Sequence, residues 1–321
     1  MAMDSRNLAV SIVICTWNRC ALLARTLEEM TKLSVPVGLA WEILVVNNNS
    51  TDQTEAVIQA FSSRLPLRSC FEPTPGKSHA CNRALREARG KWILWTDDDV
   101  LVDRKWLTEF CGTAERAPDA AAIGGPILPW FPVSPDELLV RVFPALCNGF
   151  CGIDHGRAER ILENEDIYGA NMAFQLSKIG GLQFQHALGP NGASHKTGDD
   201  LDFIDRIRQG SGIVVWSPEM RVQHYIDPSR MTVPYLAKYY RDWARQELRR
   251  SRKPVMQSGA VLAGAPRWLW KSTIVSFLRW QATRLFGSRE RALLRLREHA
   301  VFKGWLLESR LLAREGAFRS P

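Results

Sequence analysis

The sequence predicts a layered α/β fold with a doubly wound sheet, followed by a helical C-terminal region. Apolar runs rich in β-branched residues at 8–15, 41–46 and 91–96 are typical of strands buried on both faces. Helical patterns alternate with these strands through short connections, which favours parallel strands joined by right-handed crossovers. Ligands bind such sheets beyond the carboxyl ends of the strands. Functional residues are therefore expected in the loops that follow the strands.

Three polar loops occupy those positions: Thr16 to Arg19, Asn47 to Asn49, and Asp97 to Asp99. Three adjacent carboxylates repel one another unless they stay solvated, become protonated or share a cation. One interpretation is a solvated turn, in which aspartate is common. The other is a divalent metal site that holds a diphosphate, because Mg²⁺ bridges carboxylates and substrate phosphates. In the segment after the second loop, Ser50 and Gln53 have the spacing of a helix capping box.

Composition and missing motifs argue against several classes of protein. Of the 321 residues, 45% are hydrophobic and 24% charged, as in ordinary globular proteins. The seven cysteines form no C-x-x-C pair, which favours reduced thiols over disulfides or a zinc site. Gly76-Lys77-Ser78 lacks the first glycine of a P-loop, since Phe71 stands there, and no G-x-G-x-x-G or G-x-S-x-G motif is present. No apolar signal segment precedes the first strand, so a cytoplasmic location is expected.

The basic charge is concentrated near the C-terminus. From Lys238 onward there are 19 lysines and arginines against 6 acidic residues. Helical patterns at 267–286 and 289–313 are basic, and the first places five apolar residues along one face: Trp270, Ile274, Phe277, Leu278 and Leu285. No stretch has the roughly 18 uncharged apolar residues of a spanning helix. Two interpretations remain open, namely docking to the inner face of an anionic membrane, or packing on the catalytic domain or a second subunit of a homo-oligomer.

The ordered motifs TWNR, VVNNNSTD, GKSHACNRA, WTDDDV and a late GDD resemble the family 2 glycosyltransferases with the GT-A fold. The resemblance covers about residues 8–250. It implies a Rossmann-like mixed sheet, with a catalytic domain at 1–235 and a C-terminal amphipathic helical extension at 236–321. It also implies an inverting enzyme that moves a sugar from a nucleotide-diphosphate donor to the hydroxyl of a saccharide or lipid-linked acceptor. Polysaccharide or glycolipid assembly fits best, and no nucleic-acid partner is expected.

The acids after the strand at 91–96 match the D-x-D motif of that family. By resemblance, Asp97 contacts the donor ribose and can join the metal, Asp99 is the chief ligand of Mn²⁺ or Mg²⁺, and Asp98 belongs to the same nucleotide-sugar site. His224 resembles a late histidine that some members use as another metal ligand. A lone histidine is more often structural, so that alternative stays open.

Other motif positions are expected to bind the donor. Trp17 matches the tyrosine that stacks on the nucleotide base, with Thr16, Asn18 and Arg19 in the same loop. Asn48 replaces an aspartate that contacts the base, and an amide can both donate and accept, so the base stays open. Two further residues, Lys77 and Asn82, match the G-K-x-x-A-R-N segment of the family. Lys77 can neutralise a phosphate, and the alternative is an ordinary surface lysine.

Asp199 and Asp200 match the catalytic acid pair, with Asp200 as the general base. Inverting transfer requires a carboxylate to accept the acceptor proton, worth roughly 10²- to 10⁴-fold in rate. An acid that merely stabilises a helix N-terminus is the alternative. We expect acceptor contacts from loops at 126–144 and 180–198. Two other functions remain open: a non-catalytic nucleotide-sugar- or membrane-binding protein of the same fold, and a sugar nucleotidyltransferase, which should carry a Gly-rich loop where TWNR stands.

Overall fold

A computed structural model describes residues 9–185, 198–251 and 260–315, so most of the predicted loop at 180–198 lies outside the described residues. The strands are β1 (Val10–Thr16), β2 (Trp41–Asn47), β3 (Leu67–Phe71), β4 (Trp92–Asp97), β5 (Val100–Val102), β6 (Ala120–Gly124), β7 (Ile127–Trp130), β8 (Arg160–Ile161), β9 (Met172–Gln175), β10 (Ile213–Trp216), β11 (Val222–Tyr225), β12 (Val261–Leu262) and β13 (Ala265–Pro266). The helices are α1 (Cys20–Met30), α2 (Thr54–Phe61), α3 (Lys77–Glu87), α4 (Trp106–Arg116), α5 (Glu137–Leu146), α6 (Asp199–Gln209), α7 (Val233–Ser251), α8 (Arg267–Phe286) and α9 (Arg289–Arg314).

The chain divides into two compact units. Unit 1 contains Met1–Trp130 and Cys151–Tyr225, and unit 2 contains Phe131–Phe150 and Ile226–Pro321. The second unit therefore takes up a segment from the middle of the chain as well as the C-terminal helices. The functional domain limits expected from the sequence, at 1–235 and 236–321, stay a prediction.

Unit 1 is built on an eight-stranded mixed sheet with the order β3-β2-β1-β4-β9-β6-β10-β8. Strands β3, β2, β1 and β4 are parallel, and β9 is antiparallel to both β4 and β6. The mixed α/β sheet that the sequence predicts is confirmed. In the β1 register, Thr16 pairs with Asn47 and Cys15 with Asp97. The three polar loops therefore begin side by side at one edge of the sheet.

Both faces of this sheet are buried, as the apolar runs predict. Ile12 and Val45 lie on one face with α1 and α4, and Val13 and Leu44 lie on the other with α3 and α6. All four side chains are completely buried. Burial of an aliphatic side chain contributes about 1.5–3 kcal/mol, so these strands anchor the loops at their ends.

A small second sheet, β5-β11-β7, brings the late histidine to the acid triplet. Strand β11 runs antiparallel to β5, with His224 opposite Val100. The Tyr225 amide donates a hydrogen bond to the Asp99 carbonyl oxygen over 2.9 Å. Backbone pairing of β11 with β5 therefore fixes His224 beside Asp99, although the two residues are more than a hundred positions apart in the sequence.

Helices dominate unit 2. Leu293, Leu296 and Ala300 of α9 belong to one buried cluster with Leu236 and Tyr240 of α7. Farther along α9 the two helices approach so closely that an ideal Cβ on Gly304 would lie 2.2 Å from the Arg241 carbonyl oxygen, so only glycine fits. No helix in the described part of the chain is long and apolar enough to cross a membrane.

The predicted capping box at Ser50 and Gln53 is wrong. Helix α2 begins at Thr54, and Gln53 provides no side-chain cap. Ser50 Oγ instead accepts a hydrogen bond from the Asn18 amide, while Asp52 Oδ1 accepts one from the Thr54 amide over 3.0 Å. An aspartate side chain readily accepts a hydrogen bond from the backbone amide two residues ahead. Asp52, rather than Ser50, therefore accepts the hydrogen bond from the start of α2.

The predicted loop at 126–144 is also wrong. It contains β7 and most of α5, whose N-cap Asp136 accepts a hydrogen bond from the Leu138 amide over 2.8 Å. Pro144 lies inside this helix, where proline usually costs about 3 kcal/mol. Buried Leu139 and Leu146 of the same helix pack in the unit 2 core. Tertiary packing therefore outweighs the local preference of proline.

Candidate functional site

The acid triplet begins at the last residue of β4 and forms the turn into β5. Asp98 and Asp99 are each only 4% exposed. A solvated turn would leave such carboxylates in water, so this interpretation is wrong. Buried carboxylates must be paired, hydrogen-bonded, protonated or bound to a cation, and the three acids meet this requirement in different ways.

Asp98 is tied to the loop after β1. Its Oδ2 accepts a hydrogen bond from Thr16 Oγ1 over 2.7 Å, and its Oδ1 accepts one from Arg19 NH1 over 3.1 Å. Burial, reinforced by the charge of Asp99, raises the pKa of Asp98 to about 7 in spite of Arg19. Thr16, Arg19 and Asp98 thus hold two loops of the site together, and their predicted contact with the donor stays a prediction.

Asp97, Asp99 and His224 form a cluster suited to a metal ion. Each offers one ligand atom, and these atoms all lie within 4.8 Å of one another. Asp99 Oδ1 is buried without a hydrogen-bond partner in the described part of the chain and lies 3.4 Å from His224 Nε2. His224 Nδ1 donates to the Tyr225 carbonyl over 2.8 Å, so in the neutral ring Nε2 keeps its lone pair. Carboxylate oxygens with one imidazole fit a divalent ion such as Mn²⁺ or Mg²⁺.

Two cations border this cluster. Arg19 NH1 lies 2.7 Å from Asp99 Oδ2, and Lys77 Nζ lies 3.1 Å from Asp97 Oδ1. Burial alone would lower the pKa of Lys77, but Asp97, then Asp199 and Asp200, outweigh it and raise this pKa well above its ordinary value. Burial likewise opposes ionisation of Asp97, yet Lys77 and His224 lower its pKa. Lys77 is therefore a charged, partly buried group beside the acids rather than a free surface lysine.

Helix α6 begins at the predicted acid pair, which the structure places in two environments. Asp199 is buried, and its Oδ2 has no hydrogen-bond partner in the described residues. Burial raises the pKa of Asp199 to about 6, and Lys77 only partly offsets this effect. Asp200 is partly exposed, and its Oδ2 accepts a hydrogen bond from the Gly169 amide over 2.8 Å. Neighbouring carboxyl groups in such unequal settings are suited to different roles.

The loops after β1 and β2 are joined by hydrogen bonds. Asn18, with a left-handed φ of 51°, accepts at Oδ1 from the Thr51 amide over 2.7 Å, and Asp52 Oδ2 accepts from the Cys20 amide over 2.9 Å. Trp17, directly before Asn18, projects with 52% of its surface exposed. A rigidly mounted indole offers a flat face on which an aromatic ligand can stack.

Two predicted donor-binding amides are occupied by contacts within the protein. Asn48 Nδ2 donates to the Glu72 and Thr74 carbonyls over 3.1 and 2.7 Å, and its Oδ1 accepts from the Gly76 amide over 2.9 Å. Asn82 exchanges two hydrogen bonds with the backbone of Phe184, of 2.9 and 2.7 Å. Both side chains therefore position loops around Lys77, and their direct contact with a donor stays a prediction.

Sequence reasoning missed two residues that organise this site. Asp52 joins the first two loops, and the D-x-T pattern at Asp52 and Thr54 was a local signal for its turn. Gly169 holds Asp200 from 31 positions away, and no spacing rule could have predicted that contact. The structure thus gathers Asp97, Asp99 and His224 with Lys77 and Arg19 at their edge, while Asn48 and Asn82 support the loops.

This chain is similar to several known proteins. Residues 11–129 match the glycosyl transferase family 2. Over 243 residues the chain is 24% identical to the glucosyl-dolichyl phosphate glucuronosyltransferase of Haloferax volcanii, a match that covers 71% of this chain and 72% of the relative. It is 28% identical over 103 residues to the poly(ribitol-phosphate) β-N-acetylglucosaminyltransferase TarS of Staphylococcus aureus, which covers 31% of this chain and only 18% of that relative.

Solved structures share the fold. Residues 1–349 of Staphylococcus aureus TarS in complex with UDP superpose with a TM-score of 0.52 at 16% identity, covering 98% of this chain and 93% of that one. The mannosyltransferase PcManGT from Pyrobaculum calidifontis, in complex with GDP-Man and Mn²⁺, superposes with a TM-score of 0.58 at 17% identity, covering 94% and 86%. The mixed sheet and these structural matches lead to one conclusion: this chain has the GT-A fold, and its residues 11–129 match glycosyl transferase family 2.

Proposed function

We propose that this protein transfers a sugar, with inversion at the anomeric carbon, from a nucleotide-diphosphate donor to a hydroxyl acceptor. The observation that carries the proposal is the cluster of Asp97, Asp99 and His224, in which a buried Asp99 oxygen has no partner among the described residues. These residues would hold Mn²⁺ or Mg²⁺. When bound there, a divalent ion supplies charge stabilisation for the departing diphosphate.

The protein's own cations and aromatic ring supply the remaining donor contacts in this proposal. Lys77 is charged and next to Asp97, so it can bind a phosphate oxygen, and the exposed Trp17 can stack on the base. The TarS structures contain UDP or UDP-GlcNAc, and the mannosyltransferase structure contains GDP-Man with Mn²⁺. Both support a nucleotide-sugar donor. Because their bases differ, we assign no base to this protein.

Asp200 is proposed as the general base. In an inverting transfer the acceptor hydroxyl attacks from the face opposite the diphosphate, so a carboxylate must take its proton. The Gly169 amide fixes one oxygen of Asp200, whereas Asp199 lies deeper beside Lys77. The relatives act on a glucosyl-dolichyl phosphate or a poly(ribitol-phosphate), which supports an acceptor in glycolipid or polysaccharide synthesis. A cytoplasmic location remains part of the proposal.

The base assignment is tested by Asp200→Asn, with Asp199→Asn measured in parallel. We expect Asp200→Asn to reduce kcat by roughly 10²- to 10⁴-fold with little change in donor affinity. Asp202→Asn is the matched control, since Asp202 also lies in the first turn of α6 but pairs with Arg206. Turnover is measured by release of the nucleoside diphosphate, and donor affinity by calorimetry.

Each outcome of these measurements has a distinct meaning. If Asp200→Asn keeps full transfer activity, Asp200 is not the base. If Asp202→Asn loses as much activity as Asp200→Asn, the acids serve the helix N-terminus rather than the reaction. If the unsubstituted protein binds donors but neither transfers nor hydrolyses them in the presence of Mn²⁺ or Mg²⁺, the fold serves binding alone.

A further inference from the structure

Helix α8 has an unusual distribution of apolar residues, because several of them are exposed although Leu269 is completely buried. Ile274, Leu278 and Leu285 are 56%, 59% and 68% exposed, and Phe277 is 40% exposed. Their spacing at i, i+3, i+4 and i+11 places them along one face of the helix. We call these four residues the α8 apolar face. A contiguous exposed apolar surface of this kind marks a site of interaction.

The opposite side of α8 is the one that packs on α9, and much of it is polar. Ser276 is buried, and its Oγ lies 3.3 Å from His299 Nδ1. Thr273 Oγ1 donates to the Leu269 carbonyl over 2.8 Å, within its own helix. Trp280 stacks on the His299 ring, with centroids 5.9 Å apart. Leu269 adds apolar contact with Leu306 of α9, and the Phe277 ring, at the edge of the α8 apolar face, lies 5.4 Å from the His299 ring. Ile274, Leu278 and Leu285 belong to none of the buried clusters of the described residues, so the centre of the α8 apolar face is not needed to hold unit 2 together.

The charges on α8 determine which partner fits this face. The helix carries four cations and no acid: Arg267, Lys271, Arg279 and Arg284. All four are exposed, and within the described residues none forms an ion pair. The C-terminal end of the helix adds a groove of about 670 Å³, lined among others by the highly exposed Phe286 and by Arg291. Apolar side chains flanked by exposed cations complement a surface that is apolar inside and anionic outside.

We propose that the α8 apolar face docks this protein on an anionic lipid bilayer, with its apolar side chains entering the interface and its cations contacting lipid phosphates. Amphipathic helices bind membranes through this combination of burial and charge. A second copy of the chain is a poorer partner, because two α8 helices face to face would bring four cations against four. This inference goes beyond sugar transfer and does not depend on it.

Vesicle co-sedimentation of the full chain, without donor or acceptor, tests the proposal. We expect binding to vesicles of phosphatidylcholine with one third phosphatidylglycerol, and much weaker binding to phosphatidylcholine alone. The double variant Ile274→Ser/Leu278→Ser should lower the partition coefficient by at least about tenfold. The double variant Lys271→Gln/Arg279→Gln should lower the partition coefficient about fivefold for each charge removed. This decrease should occur only on the anionic vesicles.

The matched control is Val35→Ser/Val37→Ser, which changes two exposed apolar residues of unit 1 and should bind as the unsubstituted chain does. All the changed side chains are exposed, so thermal unfolding midpoints should stay within a degree or so. Failure of the unsubstituted chain to bind anionic vesicles overturns the proposal, as does equal binding by Ile274→Ser/Leu278→Ser. It is also overturned if light scattering shows a dimer without lipid that this double variant dissociates, because the face then binds a second copy.

Discussion

At the scale of single residues, Asn48 shows how a motif position can serve the site without touching the substrate. Its side-chain amide donates both N–H hydrogens to backbone carbonyls of the segment that leads into α3. Its side-chain oxygen accepts a hydrogen bond from the Gly76 backbone amide. Gly76 has a φ of 130°, a conformation that favours glycine, directly before Lys77. The asparagine therefore holds the loop that sets the start of α3 and the position of its lysine.

Asn48→Asp tests this role. The substitution places carboxylate oxygens against the Glu72 and Thr74 carbonyls, so two donors are lost and like partial charges meet. We expect the free energy of unfolding to fall by about 1–3 kcal/mol and the donor KM to rise, because Lys77 is displaced. Urea denaturation and steady-state kinetics measure the two effects.

Asn49→Asp is the control for this substitution, since Asn49 is exposed one position farther along the same loop. It should change neither stability nor KM appreciably. A different result would contradict the positioning role: if Asn48→Asp leaves stability unchanged but alters the preference between uridine and guanosine donors, Asn48 reads the base directly.

Asp199 gives a pH dependence at the same scale. Its pKa is raised from 3.8 to about 6 in the folded protein, which corresponds to about 3 kcal/mol. Between these two values the folded state binds more protons than the unfolded state. The stability contributed by this group is therefore complete below about pH 4 and is lost as the pH rises to about 6.

We expect Asp199→Asn to remove this loss, so that the variant becomes the more stable protein, relative to the unsubstituted chain, as the pH rises from 4 to 7. Urea denaturation across this range measures the difference, in which the contributions of Asp98 and other acids largely cancel. Equal pH profiles for the two proteins would show that Asp199 is not held in a raised-pKa state.

At the scale of elements, buried strands were predictable and long-range packing was not. The runs that predicted β1, β2 and β4 are confirmed, because a strand buried on both faces has an unmistakable apolar pattern. The apolar run at 120–128 has the pattern of a single strand, but Met220 passes so close to Gly125 that an ideal Cβ there would lie 2.1 Å from the Met220 carbonyl oxygen. The chain instead breaks into β6 and β7 there, in response to a neighbour almost a hundred residues away.

The same limit applies to the elements around the site. Loops after parallel strands meet at one edge of a sheet, so the meeting of the Thr16, Asn47 and Asp97 loops could be predicted. The pairing of His224 with Asp99 depends on β11 lying beside β5, and no local pattern specifies that pairing. Helix α8 shows a third case, since periodicity revealed its apolar face but only the structure shows that this face is exposed.

At the scale of the whole molecule, the two units are stabilised by different means. Unit 1 has a sheet buried on both faces, whereas in unit 2 the carboxylate of Glu308 is buried between α7 and α9 and pairs with Arg245 over 2.9 Å and with Arg249. A carboxylate satisfied by two arginines orients helices more than it stabilises them. All three candidate metal ligands belong to unit 1, so a metal should act on that unit.

We expect Mn²⁺ to stabilise unit 1 selectively, by roughly 2.7 kcal/mol at a concentration one hundred times its Kd. Hydrogen exchange followed by mass spectrometry should show slower exchange in peptides that contain Asp97–Val102 and Val222–Tyr225, and no change in α7 or α9. Asp99→Asn should abolish the effect, because Asp99 Oδ1, which has no hydrogen-bond partner among the described residues, is what a cation would satisfy. Asp119→Asn, at an exposed acid of unit 1, should respond like the unsubstituted chain. Protection that persists in Asp99→Asn would place the metal elsewhere and remove the cluster from the proposed mechanism.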